Sequence, residues 1–216
     1  MGLTDVIADN LRKPGSGLTG WIISKLLKKK NSDVITHAVG ACSVEPDHHV
    51  LEVGFGPGIG MAAVADIIKT GSGKVYGVDF SQSMVEEATN RLSEEIKRGK
   101  AEVQFGDVAS LPFQDGSMHR ILHTNCYYFW PDMNAATKEL YRVLKPGGLM
   151  ITTFVYERLV TAEARGFLPP GVWKPERYID GLNQAGFQNV ERKSELGRDE
   201  KTHFDVIYAY KNNDQI

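Results

Sequence analysis

Glu52, Gly54, Gly56, Gly58 and Gly60 follow the apolar pair Val50-Leu51, and Asp79 closes a second apolar run, Lys74-Val75-Tyr76-Gly77-Val78. The first stretch reads as a buried strand that ends in a glycine-rich turn and opens into a helix. Glycines there let the backbone pass close to a ligand, because a Cβ would occupy the ligand's space. An acid at the tip of the next strand can accept hydrogen bonds from both hydroxyls of a ribose. Together they describe a site for a nucleoside-bearing ligand. The spacing argues against a dinucleotide: in G-x-G-x-x-G the third glycine would fall where Ile59 stands,. No Gly-Lys-Ser/Thr follows, so a phosphate-binding P-loop fails too. The plain alternative is a structural turn, and it weakens once Asp79, Asp107 and Gly147-Gly148 follow in order.

What remains, Glu52-x-Gly54-x-Gly56-x-Gly58, resembles motif I of the class I S-adenosylmethionine-dependent methyltransferases. Two later segments carry the same resemblance. Gln104-Phe105-Gly106-Asp107-Val108-Ala109-Ser110-Leu111-Pro112-Phe113 is similar to the family's third-strand end. Leu140-Tyr141-Arg142-Val143-Leu144-Lys145-Pro146-Gly147-Gly148-Leu149-Met150-Ile151 is similar to its helix–Gly-Gly–strand segment. The match covers roughly residues 45–155 and is closest to the small-molecule branch that includes ubiquinone/menaquinone-type enzymes. The resemblance implies S-adenosylmethionine as cofactor, S-adenosylhomocysteine as product, and no metal. It implies a cofactor site of Glu52, Gly54, Phe55, Gly56, Gly58, Asp79, Phe80, Ser81, Met84, Asp107, Val108 and Asn125. In it the turn takes the amino-acid end, Asp79 the ribose, and Asp107 with the Val108 N–H the adenine. Phe80 and Met84 read equally well as core.

The acceptor side is read from Asn125-Cys126-Tyr127-Tyr128-Phe129-Trp130-Pro131-Asp132, which follows the fourth strand. By the resemblance, Asn125 offers its carbonyl to an ammonium. Tyr127, Tyr128, Trp130, Tyr156 and Trp21 are the candidates for lining an aromatic or quinone-like acceptor pocket or for cation–π contact. Phe129 and Trp130 serve equally as anchors of the next helix. Methyl transfer from a sulfonium needs alignment and a dry site more than a nucleophile, so no catalytic base is assigned. His37 and His123 are the weak candidates, and a buried hydrogen-bonded role is the stronger reading of His123 and His119,. Acid pairs with metal-binding spacing are missing at the ends of strands four and five. Asn125-Cys126-Tyr127-Tyr128 lacks the prolines of a base-amino motif, so a nucleic-acid substrate is not expected. Alternatives held open are a protein or RNA methyltransferase and a non-catalytic cofactor-binding partner.

These residues need strand tips to stand on. Strands are expected near 49–54, 74–79, 101–106, 119–125, 148–155, 187–194 and 203–211, with helices near 59–70, 81–98, 132–145 and 175–185. That alternation predicts a Rossmann-like, doubly wound α/β fold with a mostly parallel seven-stranded sheet. Its antiparallel last strand comes from the resemblance. Residues 1–45 are expected to form an N-terminal helical cover, with Trp21, Ile22, Leu26 and Leu27 among Lys25, Lys28, Lys29 and Lys30, and 46–216 the catalytic domain. The cover reads as a lid, as plain packing, or more weakly as a membrane-surface patch. The 216 residues, 42% hydrophobic and 24% charged, suffice for one core, and a net charge of −2 exerts no pull toward nucleic acid,. Cys42 and Cys126 read as free thiols in a reducing compartment, and no apolar run of transmembrane length is visible, so a cytoplasmic protein is expected,. The acceptor and the oligomeric state are not legible.

Overall fold

The computed structural model describes residues 33–197 and 202–213. Trp21 and the Lys25–Lys30 cluster lie outside the described residues. A helix over residues 33–41 (α1) leads into β1 (His49–Val53). Then come α2 (Ile59–Ile68), β2 (Lys74–Asp79), α3 (Gln82–Arg91), α4 (Ser93–Lys97), β3 (Ala101–Phe105) and β4 (Met118–Thr124). The chain continues through α5 (Met133–Val143), β5 (Leu144–Phe154), α6 (Tyr156–Ala164), α7 (Pro175–Ala185), β6 (Gln188–Leu196) and β7 (His203–Tyr210). One sheet joins all seven strands in the order β3-β2-β1-β4-β5-β7-β6. The first five pair in parallel, and β7 runs antiparallel to both β5 and β6.

Alternate residues of β1 feed opposite faces, which is why a nearly unbroken apolar run was needed. Val50 packs with Met61, Val64 and Ile68 of α2 in one layer. Leu51 and Val53 join Ile121 of β4 and Leu140 of α5 in the other. The α1 helix lies on the first layer through Ala38 and Val39, and its Val34 meets Val155 and Phe204 just past the carboxyl end of β5. The strand order reverses between β1's neighbours β2 and β4, so the crevice beyond their carboxyl ends is where this architecture admits ligands,.

Three local expectations are corrected. The helix expected over 81–98 breaks at Leu92 (φ −99°, ψ 16°), whose side chain is wholly buried. Anchoring that residue in the core turns the following short helix away. The helix expected to reach 145 stops at Val143, because Leu144 is already extended and Pro146 disfavours helix before it,. Pro146-Gly147-Gly148 instead forms an irregularity inside β5, where the register with β4 jumps between Met118 and Arg120. The sequence reading has no helix at 156–164. There Tyr156 and Leu159 cap the layer above β5, and Glu163 fastens the Pro169-Pro170-Gly171 turn by accepting from the Gly171 N–H (2.7 Å) and the Trp173 indole N–H.

Candidate functional site

The β1 tip turns through three glycines with positive φ, Gly54 (64°), Gly56 (53°) and Gly58 (76°). A Cβ on Gly54 would stand 2.9 Å from the Cys126 Cβ, so glycine there lets the tips of β1 and β4 meet. A Cβ on Gly56 would meet nothing within 4 Å among the described residues, which leave open space over the turn. Gly60 has a different reason to be glycine: a Cβ there would overlap the Glu52 carboxyl. That carboxyl is buried against the start of α2, where the Met61 N–H bonds it, and its Oε2 has no partner among the described residues. Burial, reinforced by the charge of Asp79, pushes Glu52 up to about 8. The sequence reading gave Gly60 no role. Its signal was spacing, eight residues past Glu52 and on the face that α2 turns to β1.

Asp79 ends β2 almost wholly buried. Its Oδ2 accepts from the Gly56 N–H and its Oδ1 from the Ser81 N–H, both at 2.9 Å. Burial raises its pKa while these two bonds oppose the rise. Ser81 stands at the N-cap of α3 without a side-chain cap bond, and its hydroxyl pairs with Ser83 (3.0 Å). Phe80, beside Asp79, presents an exposed ring. Two expected cofactor contacts are corrected at the side-chain level. Phe55 and Met84 are buried in the α2–α3 layer, because both project from the turn and helix toward the sheet.

Past β3, Asp107 is exposed and closes a tight turn, accepting from the Ala109 N–H at Oδ1 (2.9 Å) while its carbonyl takes the Ser110 N–H. Val108 is buried in the opposite layer. Past β4, Asn125 adopts φ 54° and its N–H donates to the Thr153 carbonyl (3.0 Å), extending the ladder to the tip. Gly54, Asp79, Asp107 and Asn125 thus gather at the carboxyl ends of β1 to β4.

The aromatic run after Asn125 divides. Tyr127 is fully buried, stacked on Tyr178 at 4.6 Å with its hydroxyl donating to the Trp173 carbonyl, so it is core and not an acceptor contact. The short 3₁₀ turn Tyr127–Phe129 points successive rings in different directions. Tyr128 is half-buried, edge-on to Tyr127, and burial raises its phenol well above the usual range. Trp130 lies 5.0 Å from the His123 ring, and its indole N–H bonds the Cys126 sulfur. Tyr156 is held between Trp173 (5.3 Å) and the Arg192 guanidinium (4.9 Å). Cys126, to which the sequence reading gave no role in the site, sits against Gly54 and reaches the Val53 carbonyl (3.5 Å) and His123 Nδ1 (3.4 Å). Its thiol is pushed well up by burial and by the charges of Asp79 and Glu52.

Neither histidine candidate is placed as a base. His123 is sealed in the core between the Tyr178 hydroxyl (2.7 Å) and the Thr152 hydroxyl (2.9 Å) at Nε2, and burial lowers it to about 3. His37 on α1 pairs with Glu195 of β6 (2.5 Å) beside Phe204, at the far edge of the sheet. His119 lies at the opposite end of the strands, taking the His49 N–H (2.9 Å) and stacking on His48. A cleft of about 580 Å³ opens between the start of α5 and α7, and none of Glu52, Asp79 and Asp107 lines it. Among the described residues, no group of three or more His, Cys, Asp or Glu is arranged to hold a metal ion, and no helix is long and apolar enough to cross a membrane.

Residues 50–148 match the family model described as a methyltransferase domain. The demethylmenaquinone methyltransferase of Lactococcus lactis subsp. lactis (strain IL1403) is 41% identical over 80 residues, 37% of this chain and 31% of that protein. Methyltransferase GfsG of Streptomyces halstedii is 30% identical over 157 residues, 68% of this chain and 55% of that one. The chain therefore spans less than two thirds of the length of these relatives. Among solved structures, a chain of the complex between the Haloferax volcanii Trm112 methyltransferase activator and a methyltransferase superposes with a TM-score of 0.75 at 20% identity. That match covers 98% of this chain and 97% of the other, and it speaks for the fold.

Proposed function

The chain carries a class I S-adenosylmethionine-dependent methyltransferase domain, and from that premise we propose that it moves the methyl group of S-adenosylmethionine to a small-molecule acceptor. The observation that carries the reading is the Asp79 carboxylate. One backbone N–H on each oxygen fixes it at the β2 tip and leaves each oxygen a further acceptor position, which suits two adjacent ribose hydroxyls,. The partnerless, buried oxygen of Glu52 and the open space over Gly56 support a cationic amino-acid end at the turn. Asp107 and the Val108 N–H would take the base, with the Phe80 ring against its face.

When bound, S-adenosylmethionine supplies a methyl already activated by the sulfonium and leaves as S-adenosylhomocysteine. The chain's part is alignment and exclusion of water, and alignment alone can supply roughly 7–11 kcal/mol of the barrier. His123, Cys126 and Tyr127 are uncharged and packed under the β4 tip, so they form a dry floor. Tyr128, Trp130 and Tyr156 are the rings left to meet an aromatic or quinone-like acceptor. The likeness to a demethylmenaquinone methyltransferase supports that class. Most of the cover expected over residues 1–45 lies outside the described residues; within the described part, Val34 brings α1 to Val155 at the same end of the sheet, which supports that expectation for α1.

Calorimetric titration with S-adenosylhomocysteine should give saturable binding. A methyl-tritium transfer screen should label small-molecule fractions. No binding defeats the cofactor reading, and label confined to RNA or protein defeats the acceptor class.

A further inference from the structure

The loop between β3 and β4 begins with Asp107 and Val108, and its far limb is fastened to α5 by two side chains, Arg142 and Glu139. Arg142 Nη2 donates to the Leu111 carbonyl (3.0 Å) and Nη1 to the Phe113 carbonyl (2.7 Å). Glu139, on the same face of α5, grips the guanidinium through Nε (2.7 Å) and Nη2 (2.8 Å). The same Glu139 Oε2 accepts the Leu111 N–H at 2.8 Å. Both backbone groups of Leu111 are therefore tied to side chains of one helix. The Gly116 N–H closes the clamp on the Arg142 carbonyl (2.9 Å). Asp115 also touches Arg142 (2.7 Å), but that carboxylate is exposed and such pairs contribute little,.

Leu111 stands three residues after Val108, and both side chains enter the same core layer. The turn between them is closed by the two bonds to Asp107 described above. Residues 107–111 thus form one short rigid piece, anchored at Leu111. We infer that Arg142 and Glu139 are positioning residues for the cofactor's base. They fix the Asp107 carboxylate and the Val108 N–H relative to the β3 tip without touching the ligand. The inference rests on the methyltransferase reading. It gives the Arg142-containing segment a physical task beyond linking a helix to β5.

The test compares full-length wild-type chain with Arg142→Lys, Glu139→Gln and Asp115→Asn. Each is titrated with S-adenosylhomocysteine and with S-inosylhomocysteine, in which a carbonyl oxygen replaces the base's amino group. Wild type should favour the adenine form. Arg142→Lys keeps the charge but loses the planar fork. It and Glu139→Gln should bind S-adenosylhomocysteine about tenfold more weakly, as for one lost net hydrogen bond. They should also discriminate the two bases less. Amide exchange should quicken at 107–111 and stay unchanged at 50–58. Asp115→Asn should behave as wild type. If Arg142→Lys does not fold, Glu139→Gln carries the comparison. Undiminished discrimination in Glu139→Gln, with wild type binding normally, overturns the clamp. Wild type that binds neither ligand overturns the underlying cofactor reading instead.

Discussion

Replacing Glu52 by Gln should stabilise the ligand-free protein at alkaline pH and at the same time weaken cofactor binding. The carboxyl is buried, bonded at one side by the Met61 N–H, and among the described residues faces Asp79, Cys126 and Cys42 but no cation in direct contact. A buried carboxyl in that setting holds its proton, here up to about 8 against an ordinary 4.5,. The sign follows from proton counts. Below 4.5 both folded and unfolded chains are protonated and the group makes no pH-dependent difference. Between 4.5 and 8 only the folded chain keeps the proton, so stability falls as pH rises, by about 1.4 kcal/mol per pH unit, and levels off above 8,. The accumulated loss is on the order of 4–5 kcal/mol at pH 8 and under about 1 kcal/mol at pH 5. Glutamine matches the neutral acid in shape and leaves the Oε2 position equally unpartnered, so it removes the titration with little else. For a chain of this size the variant should melt roughly 10 °C higher than wild type at pH 8 and within about 2 °C of it at pH 5. Subtracting the two melting curves cancels the titrating groups that do not couple to Glu52. In the wild type an arriving ammonium should expel the proton, so affinity should climb by up to about tenfold per pH unit from 6 to 8 and be flat in the variant. Melting differences that do not change between pH 5 and pH 8 would refute the buried, protonated Glu52.

Other expectations follow from the same geometry. Asp79→Asn keeps the shape but exchanges charge-assisted acceptance for a neutral amide, and should weaken S-adenosylhomocysteine binding about a hundredfold by calorimetry; unchanged affinity would remove Asp79 from the site,. Gly60→Ala should cost roughly 1–3 kcal/mol in denaturant unfolding, and less in a Glu52→Ala background where the overlap is gone; equal costs in both would contradict the contact,. His123→Gln should lower melting temperature but leave the shape of the kcat–pH profile between 5 and 8 as in wild type, since a ring held near 3 does not titrate there; a lost limb would restore His123 as a base. Trp130→Leu should raise KM for the acceptor while leaving S-adenosylhomocysteine affinity within about twofold, and the opposite split would move Trp130 out of the acceptor side,.

The positions of the two acids and of Asn125 were legible without a structure. Asp79 ends a strand, Asp107 lies two residues past one, and Asn125 directly follows another. Strand tips are written locally, in where an apolar run stops and a glycine, proline or polar cluster begins. The glycine turn is equally local, because positive φ is a property of the residue itself,. The antiparallel last strand came from resemblance and the sheet order from the tertiary structure alone, since periodicity says which segments are strands and not which ones pair.

Sequence periodicity did not separate Tyr127 from Tyr128, because a 3₁₀ turn has neither the strand's period nor the α-helix's, and α7 decides which ring is covered. Nor did it reveal that His123 would be sealed by Tyr178 from 55 residues away, or that Arg142 would reach back to Leu111 across 31. Glu52 is the clearest case. Its place in the glycine motif is written in the chain, while its protonation depends on the absence of a Cβ at Gly60 and on a closed layer of side chains around it. Spacing along the chain determined which groups stand at the mouth. The dielectric around each group, and hence its charge, was decided only by distant elements folding over it.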